Sequence, residues 1–172
     1  DQVGARGRFV YYLSGPVGAG KTSVVQKFKS LAWLGEWIDS RPALLAKPHV
    51  ELSKDERAQV DRWISEQLRR KNFNVAGLNR ALVICDRTPL DPLAFTDPAE
   101  LASRASEHFR DLFPGDSKRQ LEPGHVIVLS ASGEELLARA KERHLNASPQ
   151  YLADQQAAML QVFGAPTLGV TV

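Results

Sequence analysis

Sulfur is scarce in this 172-residue sequence, which carries one cysteine and one methionine. A lone Cys85 excludes an internal disulfide framework, and within the apolar run Ala81–Cys85 it reads as a small buried side chain rather than a nucleophile. The four histidines are scattered, without metal-ligand spacing. No apolar run approaches the roughly 20 residues of a membrane helix, and no charged-then-apolar leader opens the chain. The expectation is a soluble, cytoplasmic protein with no membrane partner. Charge of one sign is also missing: 22 basic against 20 acidic residues leave a net +2, so bulk electrostatics requires neither nucleic acid nor lipid. Repeats, linkers and low-complexity tracts are absent. What remains is 43% hydrophobic and 24% charged, an ordinary globular composition at a length suited to one domain over residues 1–172. The chain opens at Asp1 rather than at a methionine, as an excised or trimmed domain would.

Against these absences stands one specific motif. Gly15-Pro16-Val17-Gly18-Ala19-Gly20-Lys21-Thr22 follows G-x-x-x-x-G-K-[ST], a phosphate loop. The buried-strand pattern of residues 8–14 precedes it, and Val24, Val25, Phe28, Leu31 and Ala32 recur at helical spacing behind it. Glycines 15, 18 and 20 let the backbone curl so that its N–H groups, through Ser23, converge on phosphate oxygens at a helix N-terminus. The chain is therefore expected to bind a nucleoside triphosphate, with Lys21 on the β- and γ-phosphates and Thr22 on Mg²⁺.

Strand and helix signals alternate along the chain. Strands are expected at residues 8–14, 36–38, 81–85, 125–129 and 168–172. Helix starts are marked by Ser53 with Glu56, Asp97 with Glu100, Ser132 with Glu135, and Ser148 before Pro149. The predicted fold is α/β: a three-layer P-loop NTPase fold with a doubly wound, five-stranded parallel sheet and helices on both faces.

Two further segments carry chemistry. Asp86 closes the apolar run Ala81–Cys85 in a Walker-B-like arrangement, at the strand end where a parallel sheet gathers its ligands; it is a candidate Mg²⁺ ligand with Thr22, or else a turn carboxylate. Arg87 follows it, where hydrolytic ATPases commonly place a glutamate, and a cation there suits grasping an acceptor. Arg139 and Arg143 are four residues apart on one helical face, able to neutralise charge on a transferring phosphate, or else to decorate a solvated helix with a Glu135–Arg139 pair.

Residues 86–95, Asp-Arg-Thr-Pro-Leu-Asp-Pro-Leu-Ala-Phe, resemble the Asp/Glu-Arg-Ser/Thr segment of deoxynucleoside and thymidylate kinases. The phosphate loop fits that superfamily, and Arg139-Ala140-Lys141-Glu142-Arg143 resembles its R-x-x-x-R lid. The resemblance runs from residue 8 to residue 163. It implies an ATP-dependent kinase using Mg²⁺, which moves the γ-phosphate to a hydroxyl or phosphate of a nucleoside- or nucleotide-like acceptor held between the second and third strands. Catalytic roles would fall to Lys21, Asp86, Arg87, Arg139 and Arg143, and the base to a carboxylate after the second strand. Glu36 and Asp39 are available, Asp39 lying nearer the expected strand end, although the family's Glu-Pro is here Asp39-Ser40-Arg41-Pro42. The family also places a glutamine on the following helix to read a base edge beside an aromatic, which here would be Gln67 and Trp63; a structural glutamine and a core tryptophan are the alternative. A related reading is a kinase acting on a modified base or end within DNA or RNA, enlisting Arg69, Arg70 and Lys71, though such a run is commonly a solvated face. An NTP-hydrolysing switch or regulatory ATP-binding module is a reading of a different class.

Overall fold

The computed structural model describes residues 9–28, 30–47, 51–95, 98–113, 121–142 and 148–164. Four parallel strands, β1 (Phe9–Ser14), β2 (Ala32–Leu34), β3 (Leu82–Asp86) and β4 (His125–Val128), form one sheet in the order β2-β3-β1-β4. Five helices connect or flank them: α1 (Lys21–Lys27), α2 (Lys54–Gly77), α3 (Leu101–Leu112), α4 (Gly133–Glu142) and α5 (Pro149–Phe163). Two-residue alternation assigns the faces. Val10, Tyr12, Val83 and Cys85 pack with α2, α3 and α5 through Val75, Leu101, Ala105, Met159, Val162 and Phe163, whereas Leu13 and Ile84 meet Val25 of α1. Helices thus cover both faces, as expected. Cys85 lies fully buried in this core, and burial pushes its thiol up to about 12.

Several boundaries differ from the sequence expectations, each for a local reason. The second strand is Ala32–Leu34 rather than 36–38, because the 36–39 backbone leaves the sheet and bonds to side chains of α2 instead. Helix α1 stops at Lys27, where the Phe28 N–H turns back to the Val25 carbonyl; of the expected stripe, Phe28 is exposed, Leu31 packs from the turn and Ala32 has joined β2. Helix α2, whose start Ser53 marks, ends at Gly77. The third strand is shifted by one residue, which brings Asp86 into register with Leu13 of β1. The expected fifth strand, 168–172, lies outside the described residues, as does Asp97. Glu100 directly precedes α3 without a capping bond.

Other signals hold. Ser53 and Glu56 bond reciprocally, Ser132 and Glu135 do the same, and Ser148 caps α5 ahead of Pro149. Among the described residues, no helix is long and apolar enough to cross a membrane.

Candidate active site

Adjacent parallel strands β1 and β3 bring their carboxyl ends together, and the loops that follow form the candidate site. Behind β1 the candidate phosphate loop is shaped by glycine. Gly15 has φ near +140°, and a Cβ there would come within 2.4 Å of the Leu129 carbonyl oxygen, so no other residue fits. Gly20 adopts the left-handed conformation at the N-cap of α1, contributing no side chain where backbone N–H groups open. The Lys21 ammonium folds over this loop and donates to the Gly15 carbonyl at 2.7 Å and the Pro16 carbonyl at 2.9 Å. Burial, with Arg87 adding to it, lowers its pKa to about 8, against the partial opposition of Asp91, Asp86 and Glu36.

Thr22, in the first turn of α1, donates its hydroxyl to Asp86 Oδ2 at 2.6 Å. The other carboxylate oxygen, Asp86 Oδ1, is buried and has no hydrogen-bond partner among the described residues. A buried, unsatisfied carboxylate oxygen is costly unless a further group meets it. Beside a threonine hydroxyl in a phosphate loop, that oxygen suits a hard divalent cation, so Thr22 and Asp86 fit the Mg²⁺ expected of them.

Arg87 joins the strand ends. Its φ of 70° is left-handed, an uncommon and strained state for a residue with a side chain, and its N–H donates to the Leu13 carbonyl at 2.9 Å. The guanidinium donates through Nε to Glu36 Oε1 at 2.7 Å and through Nη1 to Asp91 Oδ2 at 3.2 Å. Burial works against this charge, but Asp91 and Glu36 together hold the Arg87 pKa above its ordinary value. Asp91 itself is buried and accepts from the Ser14 hydroxyl at 2.9 Å and the Thr88 N–H at 3.3 Å. Burial raises its pKa, with Arg87 and Ser14 pulling the other way.

Across from these groups, α2 meets the segment after β2. Gln67 is almost fully buried; its Oε1 accepts from the Ile38 and Asp39 N–H groups, both at 2.9 Å, and its Nε2 donates to Asp39 Oδ2 at 2.8 Å. Arg70 also donates to Asp39 Oδ2. The Gln67 and Arg70 bonds hold the Asp39 carboxyl below the usual carboxylate range. Trp63 lies against Trp37, ring centres 5.1 Å apart and tilted by 53°. Lys71 corrects the expectation of a solvated basic run: it is fully buried and donates to the carbonyls of Glu36, at 2.7 Å, and Asp86, at 2.6 Å. Arg69 pairs with Glu66.

On the far side of the phosphate loop, α4 comes close enough that a Cβ on Gly18 would lie 3.3 Å from the Leu136 carbonyl oxygen. Arg139 donates to the Gly18 carbonyl at 3.2 Å and lies 3.9 Å from Glu135. Its expected companion Arg143 lies outside the described residues.

No protein-family profile matches this sequence, and no curated protein does. Among solved structures, deoxyadenosine kinase from M. mycoides with the products dCMP and a flexible dCDP bound aligns over 92% of this chain and 88% of its own, with a TM-score of 0.62 and 18% identity. Deoxyadenosine kinase from M. mycoides with bound dATP aligns over 95% and 88%, with a TM-score of 0.60 and the same 18% identity. The chain has the P-loop kinase fold.

Within this P-loop kinase fold, some residues at the site carry little signal in the sequence. Asp91 lies five residues beyond Asp86 in a segment read chiefly for its arginine. Lys71 has the helical spacing of the inward stripe formed by Val60, Ile64 and Leu68, yet its charge suggested solvent. Gln155 of α5, which accepts from the Val17 N–H at 2.9 Å, gave no local signal, because its partner is 138 residues away.

Proposed function

We propose that this protein is an ATP-dependent phosphotransferase acting on a nucleoside- or nucleotide-like acceptor. The observation that carries the proposal is the single guanidinium of Arg87, which follows Asp86 directly and bonds to Glu36. Through it, the metal-side carboxylate and a carboxylate facing the acceptor side stand at one junction. The fold likeness to enzymes whose structures contain dATP, dCMP and dCDP supports nucleotides as ligands.

In the proposed reaction an acceptor oxygen attacks the γ-phosphorus of ATP and the bond from that phosphorus to the bridging oxygen breaks, releasing ADP. For a hydroxyl acceptor, its proton passes to a carboxylate, a role we assign to Glu36. Asp39, the residue the sequence favours, accepts from Gln67 and Arg70 through Oδ2, whereas Glu36 is the carboxylate bonded to Arg87 beside Asp86, so we give Asp39 a supporting role. Lys21, Arg87 and Arg139 supply positive charge around the transferring group, and the backbone of Gly15–Ser23 cradles the donor phosphates. Mg²⁺, held by Thr22 and Asp86, would neutralise phosphate charge when bound.

The nucleic-acid acceptor reading loses its basic run, since Lys71 is buried and both arginines are paired within the chain. The decisive experiment offers nucleosides, nucleoside monophosphates and single-stranded oligonucleotides to the protein with γ-labelled ATP and Mg²⁺. Label should appear on a nucleoside or nucleotide. Label released only as inorganic phosphate across the whole panel would favour a hydrolytic switch instead.

A further inference from the structure

The segment Glu36–Asp39 lies beyond the end of β2, and among the described residues its backbone pairs with no strand. Unpaired backbone groups beside a core require other partners. Two residues one helical turn apart on α2 provide them: Gln67 accepts from the Ile38 and Asp39 N–H groups, and Lys71 donates to the Glu36 carbonyl. The same Lys71 ammonium donates to the Asp86 carbonyl, on the peptide leading into the strained Arg87. Since Arg87 in turn grips the Glu36 carboxylate, a closed ring results: Lys71 to the backbone of Glu36, the Glu36 side chain to Arg87, and the peptide before Arg87 back to Lys71.

We propose that Gln67 and Lys71 are a positioning clamp that fixes the Glu36 carboxylate against Arg87, and that Gln67 is thereby committed to the protein and reads no base edge of the acceptor. Reading a base edge bidentately requires both the amide donor and the amide acceptor. Both lone pairs of Gln67 Oε1 are taken by Ile38 and Asp39, and its Nε2 already donates to Asp39. The lowered pKa of Lys71, about 8 and caused first by burial, is consistent with an ammonium placed for its bonds rather than for contact with solvent or ligand.

The proposal rests on the phosphotransfer reading for its kinetic arm but not for its structural arm. The structural arm is amide hydrogen exchange on the protein alone, comparing wild type with Gln67→Met and Lys71→Met. Loss of the clamp should speed exchange at Ile38 or Asp39 in Gln67→Met, and at neighbouring amides in Lys71→Met, by about tenfold or more, while the β1–β3 ladder keeps its protection. Unchanged exchange across residues 36–39 in both variants overturns the clamp, whatever the protein's activity.

In the kinetic arm, both variants should lose about tenfold or more in kcat with KM for ATP within about twofold, as misplacement of a reacting group does. Gln67→Met should also leave the ratio of kcat/KM between purine and pyrimidine nucleosides within about twofold. A shift of that ratio by about tenfold or more would make Gln67 a base reader and overturn the proposal. Should Lys71→Met fail to fold, Gln67→Met carries both arms.

Discussion

The two parts of the site that we assign to the donor and to the acceptor are built by different means. The donor half, from Gly15 to Ser23, is made of backbone: left-handed glycines, a helix N-terminus and a lysine returning to carbonyls five and six residues behind it. The acceptor half is made of side chains that meet across long stretches of sequence, Glu36 with Arg87 and Gln67 with Ile38 and Asp39. A local backbone device leaves its signature in consecutive residues. A relay of distant side chains leaves almost none, and it is also easier to rewire by substitution.

The comparison is broken most directly at Lys21. Lys21→Ala should lower phosphotransfer by about 10²-fold or more, because the lost charge acts on the transition state, while far-ultraviolet circular dichroism stays that of the wild type. Turnover above about a tenth of wild type would mean that the loop's backbone suffices alone. Gly15→Ala tests the backbone claim itself: the left-handed φ and the approach to Leu129 should cost about 2 kcal/mol or more in a urea melt. A smaller loss would show that the loop tolerates rearrangement.

Arg139→Gln gives a smaller effect. Its side chain is partly exposed and bonds to the Gly18 carbonyl, so a role in neutralising charge predicts a fall of about tenfold in kcat with little change in ATP affinity measured by calorimetry. If only the melting temperature moved, Arg139 would be a surface residue.

A further effect, on stability alone, concerns pH and the acceptor half. Lys71 has its pKa lowered from 10.5 to about 8 in the folded protein. Between those values the unfolded chain holds a proton that the folded chain has released, so stability rises with pH across the window, and below about pH 8 the full cost of burying the charge remains. Wild type should therefore gain on Lys71→Met by an amount on the order of 1–3 kcal/mol as pH is raised from about 7.5 to 10. Parallel stability curves over that range would show that Lys71 titrates normally.

How much of this was legible in the sequence follows the same division. The motif at residues 15–22, the Asp86 strand end, the order of alternating elements and the caps at Ser53, Ser132 and Ser148 are all set by neighbouring residues; the structure shows the three caps, and a strand ending at Asp86. Glu36-Trp37-Ile38 looks extended in sequence, but its backbone bonds to α2, some 30 residues later, rather than to the sheet. The charge of Lys71 points to solvent, while its helical spacing with Val60, Ile64 and Leu68 points inward, and the spacing prevails. Arg87 was singled out for its charge, but its backbone conformation and its grip on Glu36 depend on tertiary contacts that no local pattern encodes.

The claim that donor and acceptor halves meet across Arg87 is tested most directly by single-turnover transfer rates of Glu36→Gln and Asp39→Asn, measured side by side with whichever acceptor the nucleoside panel identifies. With Glu36 taking the acceptor proton beside Arg87, Glu36→Gln should slow transfer by about 10²-fold or more, and Asp39→Asn, which perturbs only a supporting contact, by less than about tenfold. Near-normal transfer in Glu36→Gln with a collapse in Asp39→Asn would contradict the account.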